Sequence, residues 1–180
     1  MNDSGKTTDN QLDHSSHQFR EQKYSLCFLA HDINITLNVG SLFRLADALG
    51  VEKIYLTGNS ITPPNDKIKR TSRSTEKQVP FEYSKNPLTV VDQLKQDGYK
   101  IISLEITSNS IELNRLVIEK DEKICLMIGS ENEGVDAALL AASDVTVHIP
   151  MLGRNSSMNV ANACAIATYT LTQQLSLKKT

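Results

Sequence analysis

Three stretches of this chain combine residue types at spacings that could do chemistry. The first is Asn38-Val-Gly40-Ser-Leu-Phe-Arg44. On a helix, residues four apart are neighbours, so Gly40 leaves open space beside the Arg44 guanidinium. Leu42, Leu45, Ala46 and Leu49 supply an apolar stripe and leave Arg44 on the side that Gly40 clears. A guanidinium in such a space can capture a phosphate through two parallel hydrogen bonds. An ion pair with Asp47, three residues on, is the competing assignment.

The second stretch is Gly129-Ser-Glu131-Asn-Glu-Gly134, which follows an apolar run. Glu131, in a glycine-flanked turn, is placed to hold neighbouring loop amides through its carboxylate. This is not a P-loop, because Val135-Asp136 stands where Lys-Ser/Thr is required. No G-x-G occurs anywhere in the chain, so the dinucleotide fingerprint is absent. The third stretch runs from Asp144 to Leu175. Val145, Val147 and Ile149 alternate with polar residues, as in a half-buried strand, and Pro150 ends it. A polar loop follows, and Ser157 or Asn159 can cap the next helix. Ala161, Ala163, Cys164, Ala165 and Ala167 leave one side of that helix nearly bare. It is either a tightly packed core helix or the helix of a strand–loop–helix ligand site.

The elements that must position these stretches follow from the pattern. Strands are expected at 24–30, 53–57, 79–83, 100–106 and 123–128, with helices at 38–49, 86–97 and 135–142. Residues 111–116 read as a short turn or helix, and 58–78 as a long polar loop. Gly50 and Gly98 are natural helix stops, and Asn86-Pro87 is a natural start. Strands alternating with helices give an α/β fold, a mainly parallel sheet with helices on both faces. Ligands of such sheets sit at the carboxyl ends of strands, which directs attention beyond Leu104, Gly129 and Ile149.

At 180 residues the chain is long enough for one domain with a proper core. Residues 1–22 are polar and aperiodic, expected as a disordered arm, leaving 23–180 as the folded domain. The arm lacks the apolar core of a signal peptide, and no apolar run approaches the roughly 20 residues that span a bilayer. Cys27, Cys125 and Cys164 stand singly, with no metal-ligand spacing, and read as reduced thiols in the cytoplasm. His14 and His17 read as solvated tail residues, so no metal is expected. The net charge of −2 resides wholly in residues 1–22, which argues mildly against a nucleic-acid partner. The local distribution argues the other way. Lys67, Lys69, Arg70, Arg73 and Lys77 face one acid, Glu76, in the only dense basic segment. Such a run is either a solvated loop or a functional one.

Taken together and in this order, the three stretches resemble the signature motifs of the SpoU (TrmH-like) RNA ribose methyltransferases of the SPOUT superfamily, over about residues 24–175. The resemblance implies a C-terminal trefoil knot, a homodimer and S-adenosylmethionine as cofactor. Leu104, Gly129, Ile149 and Met158 would contact that cofactor; Met158 stands where the family more often has Leu. The implied activity is 2′-O-methylation of a ribose in RNA, tRNA before rRNA. A non-catalytic RNA-binding protein and a base methyltransferase are the rival outcomes. The family gives Arg44 the activating role. Arginine is a poor base, which favours Arg44 working with an RNA phosphate. Asn38, Ser157 and Asn159 would orient substrate and loop, and Glu131 would brace its turn. RNA would be gripped by Lys67, Lys69, Arg70, Arg73 and Lys77, with Arg154 from the third motif. No foldable RNA-binding domain is legible in residues 1–22 or beyond Leu177, so this basic segment must do more. Neither a membrane nor a metal is expected as partner.

Overall fold

Two apolar runs, 26–30 and 124–128, become the wholly buried stretches of neighbouring strands, as near-continuous apolar sequence requires of a sheet covered on both faces. The structure, a computed structural model, describes residues 22–119 and 121–176. Its elements are β1 (Tyr24–His31), α1 (Thr36–Ala48), β2 (Val51–Thr57), α2 (Asp66–Ser72), β3 (Phe81–Ser84), α3 (Pro87–Gln96), β4 (Tyr99–Leu104), β5 (Ile111–Glu112), β6 (Lys123–Ile128), α4 (Ala137–Ala142), β7 (Val145–His148) and α5 (Val160–Ser176). Short 3-10 turns at Thr75–Lys77 and Leu113–Arg115 complete it. The strands form one seven-stranded sheet in the order β3-β2-β1-β6-β4-β7-β5, and every pairing within it is parallel.

Helices cover both faces, in agreement with the α/β expectation. Leu26, Phe28, Ile54, Leu126 and Ile102 meet α1, α2 and α5 through Val39, Phe43, Ile68, Cys164 and Leu171. On the other face Cys27, Leu29, Ile101 and Met127 meet α3 and α4 through Val91, Leu94 and Leu139. Helix starts follow local chemistry. Asn86 accepts from the Leu88 amide at 3.1 Å with Pro87 in the first turn, and Asp136 accepts from the Leu139 amide at 2.8 Å.

Two expectations are corrected. The segment 58–78 is not a loop: Asn65 accepts from the Lys67 and Ile68 amides at 2.9 and 3.3 Å and starts α2. The expected short turn or helix at 111–116 is present as the 3-10 turn at Leu113–Arg115, but Ile111 and Glu112 pair with Val147 and His148 at the sheet edge and form β5 instead. The expected arm at 1–22, with His14 and His17, lies outside the described residues but for Gln22, whose carbonyl sits against Gly50.

Candidate active site

The carboxyl ends of β4, β6 and β7 open onto a cavity of about 320 Å³. All four residues expected at the cofactor, Leu104, Gly129, Ile149 and Met158, line it, and Ser157 and Glu131 line it too. Ile128 and Val160 extend its apolar wall, while Glu105, Glu133 and His148 add polar groups. Its size lies at the low end of the roughly 300–1,000 Å³ typical of small-molecule sites.

The loop after β6 is folded back tightly. Ser130 and Gly134 exchange both backbone hydrogen bonds, at 3.1 and 2.9 Å, and the Glu133 amide donates to Ser130 Oγ at 3.1 Å. The Gly134 carbonyl thereby lies 2.0 Å from where a Cβ on Gly129 would stand, so Gly129 admits no side chain. The expectation that Glu131 gathers the loop amides is corrected. That work falls to Glu105, whose Oε2 accepts from the Val135 amide at 3.0 Å and Oε1 from the Ile106 amide at 2.9 Å. Glu131 points out of its turn instead, and its carboxylate accepts from Nδ2 of Asn38.

Asn38 is only 5% exposed, and its side chain is spoken for on both sides. While Nδ2 donates to Glu131, Oδ1 accepts from Nδ2 of Asn159 at 3.0 Å. Asn159 in turn accepts from the Ala161 and Asn162 amides at 3.0 and 3.3 Å and so caps α5. Of the two candidate caps Asn159 is the one used, since it immediately precedes the helix; Ser157 lies further out and faces the cavity. One residue from each of the three motifs is thus joined in a single network.

Arg44 is exposed, and its guanidinium has no hydrogen-bond or ion-pair partner among the described residues; the Asp47 pair does not form. The space that Gly40 clears is taken, which corrects the expectation that it serves Arg44. A Cβ there would stand 2.7 Å from Thr71 Cβ and 3.0 Å from the Ile68 carbonyl, so the bare position lets α2 lie against α1. On and just after α2, Lys67, Lys69, Arg70, Arg73 and Lys77 are all exposed, without ion-pair partners among the described residues. Glu76 accepts from Ser72 Oγ instead. Arg154 is exposed in the loop before α5.

All three cysteines are free and buried. Burial pushes the Cys164 thiol up to about 12, partly offset by a hydrogen bond between its sulfur and Thr168 Oγ1. The neighbouring Cys125 thiol, and then burial, drive Cys27 far above its ordinary value. Neither is a thiolate nucleophile at neutral pH. Among the described residues no group of three or more His, Cys, Asp or Glu gathers as a metal site. Sequence reasoning missed Glu105 and His148. Each stands at the carboxyl end of a strand already picked out, and that position was the only signal available.

Fold and site together define a class. The SpoU rRNA Methylase family model matches residues 25–169, and the chain belongs to that family. Among its relatives are the 23S rRNA (guanosine(2553)-2'-O)-methyltransferase RlmP of Bacillus subtilis, 32% identical over 74% of this chain and 52% of that protein. The tRNA (guanosine(18)-2'-O)-methyltransferase of Borreliella burgdorferi is 30% identical over 83% of this chain and 67% of that one. Among solved structures, the SpoU methyltransferase AviRb from Streptomyces viridochromogenes in complex with AdoMet superposes with a TM-score of 0.76. It is 26% identical and covers 90% of this chain and 64% of its own. The chain spans about half the length of the first curated relatives it matches.

Proposed function

We propose that this chain methylates a ribose 2′-hydroxyl of an RNA, with S-adenosylmethionine as methyl donor. The observation that carries the proposal is the Glu131–Asn38–Asn159 network, which ties α1, bearing the unpaired Arg44, to two of the loops that wall the cavity. The cavity suits the donor chemically. Leu104, Ile128, Ile149, Met158 and Val160 offer apolar surface to a flat ring system, and Glu105, Glu131 and Glu133 offer negative charge to a cationic ligand. When bound, the cofactor supplies an electrophilic methyl group on a sulfonium.

The chain's own residues do the rest. The Arg44 guanidinium holds an RNA phosphate and places positive charge beside the hydroxyl that must lose its proton. Asn38 and Asn159 fix α1 against the start of α5, so that Arg44 keeps one position relative to the cavity. Ser157, exposed at the cavity rim, orients the ribose. Alignment of this kind is worth up to about 7–11 kcal/mol of a barrier. Lys67, Lys69, Arg70, Arg73, Lys77 and Arg154 grip the phosphates of the same RNA.

The rest of the proposal concerns assembly and setting. Residues 23–180 act as one methyltransferase domain, with the C-terminal trefoil knot of the family. In support, β6 is inserted between β1 and β4, and α5 returns to clasp the 116–118 segment through Gln174. The active form is a homodimer: Leu37 on α1 and Tyr169 on α5 are 60% and 57% exposed, apolar surface that a second copy would cover. The protein works in the cytoplasm; no described helix is long and apolar enough to cross a membrane.

Transfer RNA is the substrate proposed, since the tRNA-named relative aligns over 83% of the chain against 74% for the rRNA-named one. Ribosomal RNA is the second reading, favoured by the slightly higher identity of that other relative, 32% against 30%. Transfer of labelled methyl from S-adenosylmethionine into total RNA, followed by mapping of the nucleotide, decides between them. No incorporation into any RNA would sink the activity itself.

A further inference from the structure

We infer that Glu105 is a positioning residue for the cofactor cavity, holding two of its walls in register with one carboxylate. The inference rests on reading that cavity as the cofactor site. Glu105 leaves β4 directly after Leu104, and both of its oxygens are engaged. Oε1 takes the Ile106 amide of its own loop; Oε2 reaches across to the Val135 amide that ends the loop after β6. Both are charge-assisted bonds, about twice as strong as neutral ones.

The surroundings are shaped to that carboxylate. A Cβ on Gly134 would stand 2.1 Å from Oε2, and Gly134 has φ +68°, which glycine adopts without strain. Gly134 is therefore bare for two reasons, and one of them is Glu105. Val135 is 4% exposed, with its side chain in the core beside Leu139, so water is a poor substitute for the lost acceptor. Between the Glu105 bond and the Ser130–Gly134 pairing, the turn that carries Glu131 to Asn38 has little freedom. Glu105 thus fixes a cavity wall and, through that wall, the network that holds the Arg44 helix.

The test uses Glu105→Ala, Glu105→Gln and Gly134→Ala in the full chain, with S-adenosylhomocysteine as calorimetric probe. Glu105→Ala is expected to bind the probe roughly tenfold or more weakly, the worth of one or two charge-assisted hydrogen bonds. The KM for cofactor should rise by a larger factor than the KM for RNA, which Glu105 reaches only through the Glu131–Asn38 bond. Amide exchange should quicken at 106 and 130–135 while the central strands keep wild-type protection. Glu105→Gln keeps the shape but offers one acceptor and one donor, so it should fall between; it also serves if the alanine variant does not fold. Gly134→Ala should weaken binding similarly, and adding Glu105→Ala to it should cost nothing further. A probe affinity of Glu105→Ala within about twofold of wild type would overturn the inference, as that is under about 0.5 kcal/mol. So would a loss of protection spread evenly over the sheet, the mark of a residue that only stabilises the fold. Failure of the wild type to bind the probe would sink the cofactor assignment; the exchange pattern alone would then decide whether Glu105 holds the loop.

Discussion

Asn159 donates its side-chain amide to the side-chain carbonyl of Asn38, 3.0 Å away and 121 positions earlier in the chain. The bond joins the start of α5 to the first turns of α1, and Glu131 completes it from the other side. An asparagine nearly sealed from water, with both ends of its amide used, is costly to disturb.

Asn38→Ala should therefore destabilise the fold by about 1–3 kcal/mol and cut methyl transfer at least tenfold. Asn159→Ala loses the cap of α5 as well, a further ~1 kcal/mol. Because the two residues share one bond, the double variant should lose less than the sum of the singles. Urea denaturation of all four proteins measures this, and strictly additive losses would contradict the network.

Arg44 makes the opposite case. With no partner among the described residues, its truncation should change stability by no more than about 0.5 kcal/mol. Turnover should nonetheless fall by roughly a hundredfold or more, since only the aligned complex is affected. Lysine at this position should not restore it, lacking the two-pronged grip on a phosphate. Single-turnover kinetics beside a thermal melt would read both quantities; activity within about threefold of wild type would remove Arg44 from the mechanism.

Replacing Lys69, Arg70 and Arg73 with Ala should weaken RNA binding and flatten its dependence on salt. Each lost phosphate contact removes about 0.9 from the slope on a duplex and about 0.7 on a single strand, so three lost contacts should take roughly two to three units. Affinity for the cofactor should not move, because none of the three lines the cavity. Identical slopes for the two proteins would mean that these cations are only solvated.

Alkaline pH should find the buried thiols. Cys164 titrates at 9.0 in its ordinary state and at about 12 in the fold, raised by burial. A raised native value means full stability below pH 9.0 and a decline as pH climbs from there toward 12, because the unfolded chain ionises first. The slope from this one group approaches 1.4 kcal/mol per pH unit within that window. Cys164→Ala should be less stable at neutral pH, for the cavity it leaves, yet lose less on going above pH 9.0. Parallel declines in the two proteins would clear the thiol of responsibility.

Much of this was written locally in the sequence. The apolar runs at 26–30 and 124–128 specified central strands, Asn86-Pro87 started α3, and strand ends pointed to the loops that wall the cavity. What escaped was settled by distant partners. Helix α2 is seven residues long and buries only Ile68 and Ser72, too little for a periodic stripe, and its basic density suggested a loop. Gly40 reads as room for Arg44 until α2 is placed against it. Glu131 reads as a residue of its own turn, since nothing nearby reveals a partner 93 positions away. Glu105 gives no signal in the sequence, because a single carboxylate after a strand has no pattern until Val135 stands beside it.

The close seating of α2 on α1 at Gly40 has a mechanical meaning. A basic tether would adapt to any polyanion, spending chain entropy to do so. Cations anchored on a helix that is pinned to the Arg44 helix behave instead as a gauge of fixed span. Under the proposed function, an RNA whose backbone matches that span would engage these cations and Arg44 at once, with little left to freeze. Under that function, one that bends differently would forgo part of the charge pairing or pay to be reshaped, so backbone curvature would bear on substrate choice before any base is read.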